Sequence, residues 1–368
     1  MIQANISDLS LVKIHGRTSK NKQPLTLFWT ASGIEMNVTG SELWVEFEID
    51  FGGAEPWLSY TIDGAWLSRQ MLQKGRYWLP IFRGMNPDEV KNVRLFKDLQ
   101  PMGDDEEAFF KIHAIKYDGE FRPVDDSQLK IEFIGDSLTS GEGTIGAVGK
   151  LDWIPLYFTA INDYAYMTAR LLNADYRIFS QSGWGIHCGW DNNIHSAIPK
   201  YYDEVCSICQ GALAESLGAK EPNDFTSWQP NVIVINLGTN DGGAFHNDAY
   251  TEAGVSYKLH MLEDGTCDTQ DSNLVINDAV AFLNNLRSKN PKAHLLWAYG
   301  MCDHFMEHTL QSAVNAYIDQ TGDKKVSYLS LVAVTDETIG SREHPGVKCH
   351  EENANLLAEH IKGLLKND

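Results

Sequence analysis

The first third of the chain alternates apolar and polar residues with a period of two. SELWVEFEID places apolar side chains at positions 43, 45, 47 and 49, and mostly glutamates between them. WLSYTIDGAW, GRYWLPIFRG, NVRLFKD and AFFKIHAIKYDGEF follow, separated by Gly, Asp, Pro and Asn. Such runs predict short strands. Their spacing predicts an antiparallel β-sandwich of the jelly-roll type over residues 1–125.

The pattern changes after residue 130. Apolar runs alternate with longer amphipathic segments; the runs are IEFIG, YRIFSQS, VIVINLG, HLLWAYG and VSYLSL. The helical segments are INDYAYMTARLLNA, DAVAFLNNLRSKN, TLQSAVNAYIDQTG and HEENANLLAEHIKGLLK. This order predicts βαβ units and a parallel sheet of about five strands in a three-layer α/β/α domain. FRPVDD at 121–126 resembles a linker, so we expect two domains, 1–125 and 126–368.

Four polar turns separate predicted strands from the helices that follow. They are GDSL at 135–138, SGWG at 182–185, GTND at 238–241 and EHPG at 343–346. Ligands of open α/β sheets bind outside the carboxyl ends of the strands. We therefore expect these four turns to share one cleft.

The side chains on these turns have complementary chemistry. Ser137 can act as a nucleophile and His344 as the base that takes its proton. The Gly183 N–H, the Asn240 amide and the Ser137 N–H can form an oxyanion hole. Singly, the serine is as well explained by a helix N-cap, the asparagine by a turn and the histidine by a structural role. Together they predict acyl transfer.

The four motifs also carry a family resemblance. IGDSLTSGEG, SGWG, INLGTND and EHP resemble the Ser, Gly, Asn and His blocks of the SGNH/GDSL hydrolase superfamily. The whole chain is similar to carbohydrate esterase family 2, which joins a jelly roll to an SGNH domain and removes O-acetyl groups from plant polysaccharides such as xylan and glucomannan. The resemblance implies Ser137 as nucleophile, His344 as base, and Gly183 and Asn240 as oxyanion donors, with Gly185 as the alternative glycine. It implies an acetylated polysaccharide or oligosaccharide as substrate and neither cofactor nor metal.

One position departs from the superfamily pattern. Many members have aspartate three residues before the histidine, where this chain has Ser341 in GSREHPG. A serine cannot stabilise an imidazolium as a carboxylate does. We therefore expect a Ser-His dyad whose His344 Nδ1–H is held by a backbone carbonyl. Asp336 or Glu337 is the alternative source of a carboxylate.

The charge composition of the chain restricts the classes of partner that it can bind. The chain has 30 Lys and Arg against 50 Asp and Glu, a formal net charge of −20. Such a surface repels nucleic acid and anionic membranes. No apolar stretch approaches the roughly 20 residues of a membrane span, and no signal peptide is visible. We expect a cytoplasmic location, although a trimmed secreted protein would have the same sequence. Exposed strand edges leave self-association into a homo-oligomer open.

Several other features of the sequence bear on the fold and the site. Cys206 and Cys209 form a C-x-x-C in YYDEVCSICQ, a predicted short helix without a second pair at zinc spacing. Trp184 and Trp190 flank the glycine turn and are candidates to stack on a sugar ring. The polar insertion at 242–273 is either a wall of the cleft or an inert excursion. The histidines outside the motifs have no metal spacing; they are His187, His195, His246 and His304.

Two other functions are compatible with parts of the pattern. The same mechanism would serve another small acyl ester, including a lipid, but no membrane-seeking amphipathic surface is visible. A carbohydrate-binding protein with an inactive core is the alternative from another class. The four filled catalytic positions argue against it.

Overall fold

A computed structural model describes residues 1–366 of the chain. The chain divides into two compact units. The first consists of residues 1–127, 154–156 and 203–223, and the second of residues 128–153, 157–202 and the remainder from 224. The sequence pattern places the two short later segments in the second domain, whereas the structure packs them with the β-rich unit.

The first unit contains two antiparallel sheets. Its strands are β1 (Ile2–Asn5), β2 (Lys13–His15), β3 (Leu25–Thr26), β4 (Gly33–Val38), β5 (Glu42–Asp50), β6 (Trp57–Ile62), β7 (Ala65–Met71), β8 (Gly75–Arg83), β9 (Lys91–Lys97), β10 (Phe109–Tyr117) and β11 (Phe121–Arg122). One sheet has the order β1-β10-β5-β8, with β3 also on β10. The other has the order β11-β4-β9-β6-β7, with β2 also on β4.

The two sheets share one apolar core. Along β5, every second residue is buried, as the alternation in the sequence predicts. Phe47 meets Phe110 edge to face, with ring centroids 5.6 Å apart. The same buried cluster includes Met36 and Leu95 from the second sheet. The inward faces of both sheets therefore stabilise the unit by removing apolar surface from water.

Backbone hydrogen bonds join the two ends of the segment 203–223 on either side of α3 (Gly211–Ser216). The Cys206 N–H donates to Ala219 O at 2.8 Å, and the Val205 N–H donates to Glu221 O at 2.9 Å. The prediction of a short helix around Cys206 is therefore wrong, because these amides bond across the segment and not along a helical turn. The Cys206 and Cys209 sulfurs lie 3.8 Å apart as free thiols.

Trp29 anchors this segment to the β-rich unit, which leads to a stability prediction. Its fully buried indole donates to Val205 O at 2.7 Å. Trp29→Phe should lower the free energy of unfolding by about 1–3 kcal/mol, because it leaves a buried carbonyl without this donor. Urea unfolding monitored by circular dichroism measures the change.

Trp66→Phe is the matched control. The Trp66 indole also donates to a backbone oxygen, that of Ser68 at 3.0 Å, but the residue is 44% exposed. Its replacement should change the free energy of unfolding by less than about 0.5 kcal/mol. Equal losses in the two variants would contradict the anchoring role of Trp29.

The second unit is built on a parallel sheet of five strands, as predicted. The strands are β12 (Lys130–Gly135), β13 (Asp175–Ser180), β14 (Val232–Asn236), β17 (His294–Tyr299) and β18 (Val326–Ser330). A separate hairpin consists of β15 (Tyr250–Glu252) and β16 (Val255–Tyr257). The helices are α1 (Ser137–Ser140), α2 (Tyr164–Leu171), α3 (Gly211–Ser216, in the first unit), α4 (Thr239–His246), α5 (Thr269–Lys289), α6 (Glu307–Thr321) and α7 (Val347–Lys366).

The strand order of this sheet is β13-β12-β14-β17-β18. The chain moves outward in one direction from β12 to β13 and in the other from β14 to β18. Right-handed crossovers then place α2 on one face and α5 and α6 on the other, and α7 packs against α2. The order reverses between β12 and β14, a topological switch point where such sheets bind ligands. Within residues 1–366, no helix combines the length and the apolar character needed to cross a bilayer.

Candidate active site

Ser137 lies at the carboxyl end of β12, beside the switch point. Asp136 caps the following helix, because its Oδ1 accepts from the Leu138 N–H at 3.0 Å. Ser137 is thus the first helical residue and not the N-cap, so its hydroxyl is not used for capping. Its N–H has no acceptor within the helix. The hydroxyl and the backbone N–H of Ser137 are therefore both available to a ligand.

His344 meets this serine from the loop that precedes α7. Its Nε2 lies 3.0 Å from Ser137 Oγ, and its Nδ1 lies 2.7 Å from Arg342 O. A carbonyl can only accept, so Nδ1 carries the proton and Nε2 is the free acceptor. This tautomer is the one that can take the serine proton.

The group that orients the imidazole is a backbone carbonyl. Asp336 and Glu337 are exposed, and no carboxylate among residues 1–366 hydrogen-bonds to His344. Ser341 is fully buried, and its Oγ donates to Gly143 O at 3.3 Å. Position 341 therefore contacts the neighbouring turn and not the imidazole.

The backbone before His344 adopts an uncommon conformation. Arg342 and Glu343 have φ angles of 56° and 58°, in the left-handed region that non-glycine residues rarely occupy. Gly143 allows the close approach of this loop, since a Cβ there would lie 2.7 Å from His344 Cβ and 2.4 Å from Ser341 O. The loop geometry thus depends on a glycine in the serine motif.

The two candidate glycine donors differ in their hydrogen bonds. The Gly185 N–H donates to Ser196 O at 3.1 Å, so it is already engaged. Gly183 has φ 80°, and among residues 1–366 its N–H has no acceptor. Buried Asp241 holds the adjoining turn by accepting from the Ile186 and His187 N–H groups, each at 2.8 Å. The geometry favours Gly183 over Gly185 as a donor to substrate.

Asn240 lies at the start of α4, across the switch point from Ser137. Its Nδ2 donates to Asp136 Oδ2 at 3.1 Å and to Trp184 O at 3.0 Å. Both amide hydrogens therefore have protein acceptors. Donation to a substrate oxygen requires that one of these two bonds be exchanged.

The electrostatic surroundings of Asp136 are unusual for a carboxyl. Burial is the main cause that raises its pKa to about 7; nearby Asp241 and Glu142 act in the same direction and the Leu138 N–H in the opposite one. Because Asp136 Oδ2 accepts from Asn240 Nδ2, protonation of Asp136 changes the acceptor that orients the Asn240 amide.

A cavity of about 340 Å³ opens above the serine. Trp190, which is 52% exposed, contributes to its wall, as does Trp153. Trp184 does not line the cavity, and its ring packs on Tyr201 with centroids 4.9 Å apart. The lining residues are Ser137, Glu142, Trp153, Ser182, Gly183, Trp190, Asn240, Arg342 and His344.

The polar insertion at 242–273 contributes no residue to this lining. It contains the end of α4, the β15–β16 hairpin and the start of α5. Residues of the hairpin and of the stretch after it line a different cavity of about 200 Å³. The structure favours the excursion over the wall.

Three cavity residues, Glu142, Arg342 and Trp153, were not predicted from the sequence. Glu142 and Arg342 lie within the quoted motifs IGDSLTSGEG and GSREHPG, so their proximity to the serine and histidine was readable. No signal in the sequence showed that their side chains pair. Among residues 1–366, no cluster of three or more His, Cys, Asp or Glu side chains could hold a metal ion.

Position 341, where many superfamily members have aspartate, leads to a prediction. Ser341→Asp should not create a triad, because the side chain at 341 faces Gly143 O and a fully buried region. It should lower the free energy of unfolding by about 3 kcal/mol or more, since it buries a charge without a cation. Urea unfolding and steady-state ester hydrolysis measure both effects, and a stable variant with higher kcat would contradict the prediction.

The raised pKa of Asp136 predicts how the stability of the protein depends on pH. The folded-state pKa of Asp136, about 7, lies above its ordinary value of 3.8, so the native state holds a proton that the unfolded state releases between about pH 4 and 7. Native stability should therefore fall over this range as pH rises, by about 1.4 kcal/mol per unit of pKa difference. Asp136→Asn should flatten this part of the stability profile, measured by urea unfolding at several pH values.

Asp264→Asn is the control for this measurement. Asp264 is fully exposed, and hydrogen bonds from Thr266 lower its pKa, so its titration lies below pH 4. Its replacement should leave the slope between pH 4 and 7 unchanged. Identical slopes in the wild-type protein and Asp136→Asn would refute the role of Asp136.

The fold and the paired Ser137 and His344 at the switch point are those of an SGNH/GDSL-type hydrolase. No family model matches the chain. The solved acetyl xylan esterase Est2A from Butyrivibrio proteoclasticus is 41% identical, with a TM-score of 0.98 and complete coverage of both chains. The cellulase/esterase CelE of Acetivibrio thermocellus is 25% identical over 350 residues. An acetylxylan esterase/glucomannan deacetylase of Cellvibrio japonicus is 22% identical over 360 residues, which cover 96% of this chain and 89% of that protein.

These relatives identify the family. The chain belongs to the family 2 carbohydrate esterases of the SGNH/GDSL type, which are carboxylic ester hydrolases. The match to CelE covers 92% of this chain but only 37% of CelE, so the chain spans about a third of that relative's length.

Proposed function

We propose that this protein is a serine esterase that removes O-acetyl groups from plant-cell-wall polysaccharides or oligosaccharides. The observation that carries the proposal is the chain of contacts from Ser137 Oγ through the His344 ring to Arg342 O, at 3.0 and 2.7 Å. These contacts place three groups at the wall of one cavity: Ser137 as nucleophile, His344 as a base of defined tautomer, and the Arg342 carbonyl as the acceptor that orients the base.

The first half-reaction forms an acetyl-enzyme. Ser137 Oγ attacks the acetyl carbonyl carbon while His344 Nε2 takes the hydroxyl proton. Collapse of the tetrahedral intermediate breaks the ester bond, and the imidazolium returns the proton to the departing sugar oxygen. In the second half-reaction, His344 takes a proton from water as the water oxygen attacks the acetyl carbon. The bond from that carbon to Ser137 Oγ then breaks, acetate leaves, and the imidazolium returns the proton to Ser137 Oγ.

The negative charge that develops on the carbonyl oxygen of the tetrahedral intermediate must be stabilised by hydrogen-bond donors. We infer that the Ser137 and Gly183 N–H groups supply two, because the first has no intrahelical acceptor and the second has none among residues 1–366. Asn240 supplies a third by exchanging its bond to Trp184 O for one to the oxyanion. Donors of this kind typically contribute ~10²–10³ in rate each.

The catalytic unit is proposed to be a Ser-His dyad. The Arg342 carbonyl holds the Nδ1–H in place of a triad carboxylate. A neutral carbonyl stabilises the imidazolium less than a carboxylate does, so the base relies more on orientation than on charge.

The substrate class follows from the cavity and the relatives. Est2A is described as an acetyl xylan esterase, and the Cellvibrio protein as an acetylxylan esterase and glucomannan deacetylase. The exposed faces of Trp153 and Trp190 beside the serine suit a neutral sugar ring. The formal net charge of −20 does not repel such a substrate.

We further infer that the β-rich unit has jelly-roll connectivity, as its two antiparallel sheets around one core suggest.

The decisive experiment follows acetate loss by mass spectrometry from acetylated xylan and acetylated glucomannan side by side. The wild-type protein should release acetate from at least one of them and turn over 4-nitrophenyl acetate. Ser137→Ala should lower kcat by at least about 10³-fold with the fold intact, because the nucleophile is lost.

Ser140→Ala is the matched control, since Ser140 is a buried serine of the same short helix whose Oγ donates to Ser180 Oγ at 2.9 Å. It should keep most of the turnover. A wild-type protein that binds these glycans without releasing acetate would instead support the carbohydrate-binding alternative.

A further inference from the structure

An ion pair connects the turn of the nucleophile to the loop of the base. Glu142 Oε1 accepts from Arg342 Nε at 2.6 Å. The Glu142 side chain is only 2% exposed, and the Arg342 side chain is 28% exposed. Glu142 lies one turn after Ser137, since its N–H donates to Ser137 O at 3.0 Å. The proposed mechanism assigns no step to this pair.

Three other bonds restrain Arg342. Its Nη1 donates to Leu151 O at 2.7 Å, its backbone N–H donates to Lys150 O at 2.6 Å, and its carbonyl accepts from His344 Nδ1 at 2.7 Å. The residue has φ 56°. A non-glycine residue keeps such a conformation only where its surroundings hold it there. The side-chain bonds of Arg342 therefore help to determine where its carbonyl points.

We propose that the Glu142–Arg342 ion pair positions the catalytic base. The carboxylate holds the guanidinium, the guanidinium restrains the backbone of Arg342, and the carbonyl of that residue orients the His344 imidazole toward Ser137. Glu142 thereby contributes to the orientation that a triad aspartate provides directly, through one additional residue. Glu142 and Arg342 are positioning residues, and this inference rests on the proposed function.

The same two residues also line the cavity, so a role in binding the sugar must be distinguished from positioning. Loss of a sugar contact made equally in the ground and transition states raises KM and leaves kcat unchanged. Misplacement of the base lowers kcat and leaves KM nearly unchanged. The small ester 4-nitrophenyl acetate carries no sugar, so only positioning should affect its hydrolysis.

The test compares Glu142→Ala, Glu142→Gln and Arg342→Lys. Glu142→Ala should lower kcat for 4-nitrophenyl acetate by about 10- to 100-fold, the scale of an ångström-sized misplacement. Glu142→Gln keeps an oxygen acceptor and should recover most of this loss. Arg342→Lys keeps the charge but cannot reach both Glu142 and Leu151 O, so it should show an intermediate loss. If Glu142→Ala fails to fold, the comparison of Arg342→Lys with a matched lysine variant still decides the question.

Arg287→Lys is the matched control for Arg342→Lys. Arg287 Nε pairs with Asp323 Oδ2 at 2.7 Å, and its Nη1 donates to Ala293 O at 2.6 Å. It thus joins a carboxylate to a backbone carbonyl as Arg342 does, but it does not line the cavity. Arg287→Lys should leave kcat within about twofold of the wild type. An equal kcat loss in both lysine variants would overturn the proposal.

A spectroscopic readout separates this inference from the proposed function. In ¹⁵N-histidine-labelled protein, the hydrogen-bonded His344 Nδ1 proton should give a downfield resonance, assigned by its absence in His344→Ala. Glu142→Ala should move or broaden it, whereas Arg287→Lys should not. An unchanged resonance, or a kcat within twofold of the wild type in folded Glu142→Ala, would refute positioning even if Ser137→Ala is inactive. A wild-type protein without esterase activity would instead refute the proposed function, and the resonance would still report on the ion pair.

Discussion

The hydrogen bond between His344 Nδ1–H and Arg342 O is the interaction on which the proposed chemistry depends. It determines the tautomer, and the tautomer determines that Nε2 faces Ser137 Oγ as an acceptor. Two successive left-handed residues shape the loop that carries this carbonyl, and Gly143 of the serine motif allows the loop to approach. We propose that the Glu142–Arg342 ion pair also holds the carbonyl in place. Orientation comes from the backbone because position 341 faces elsewhere.

Three buried acidic side chains surround the serine, and each avoids an isolated charge in a different way. Burial and its acidic neighbours raise the pKa of Asp136 to about 7. Asp241 accepts from backbone N–H groups of the glycine turn, and Glu142 pairs with Arg342. Buried charges are tolerated only with such compensation. Each carboxyl also holds a part of the site, namely the Asn240 amide, the glycine turn and the histidine loop.

Much of the architecture was predictable from local patterns. Period-two alternation marked the strands of the first unit, and apolar runs between amphipathic helices marked the five parallel strands of the second. The short helix predicted around Cys206 was wrong, because the amides of that segment bond to Ala219 and Glu221, whose positions only the fold determines. For the same reason, no local pattern showed that segment 203–223 belongs with the β-rich unit.

By itself, the sequence determined the fold of the second unit and the four turns that reach its cavity, because hydrophobic period and turn composition are local properties of the chain. The tertiary structure decided the finer chemistry. It determined that Gly183 and not Gly185 has an amide available, that Trp190 and not Trp184 lines the cavity, and that the His344 Nδ1–H donates to a backbone carbonyl. These outcomes depend on hydrogen bonds between residues far apart along the chain, which spacing alone does not encode.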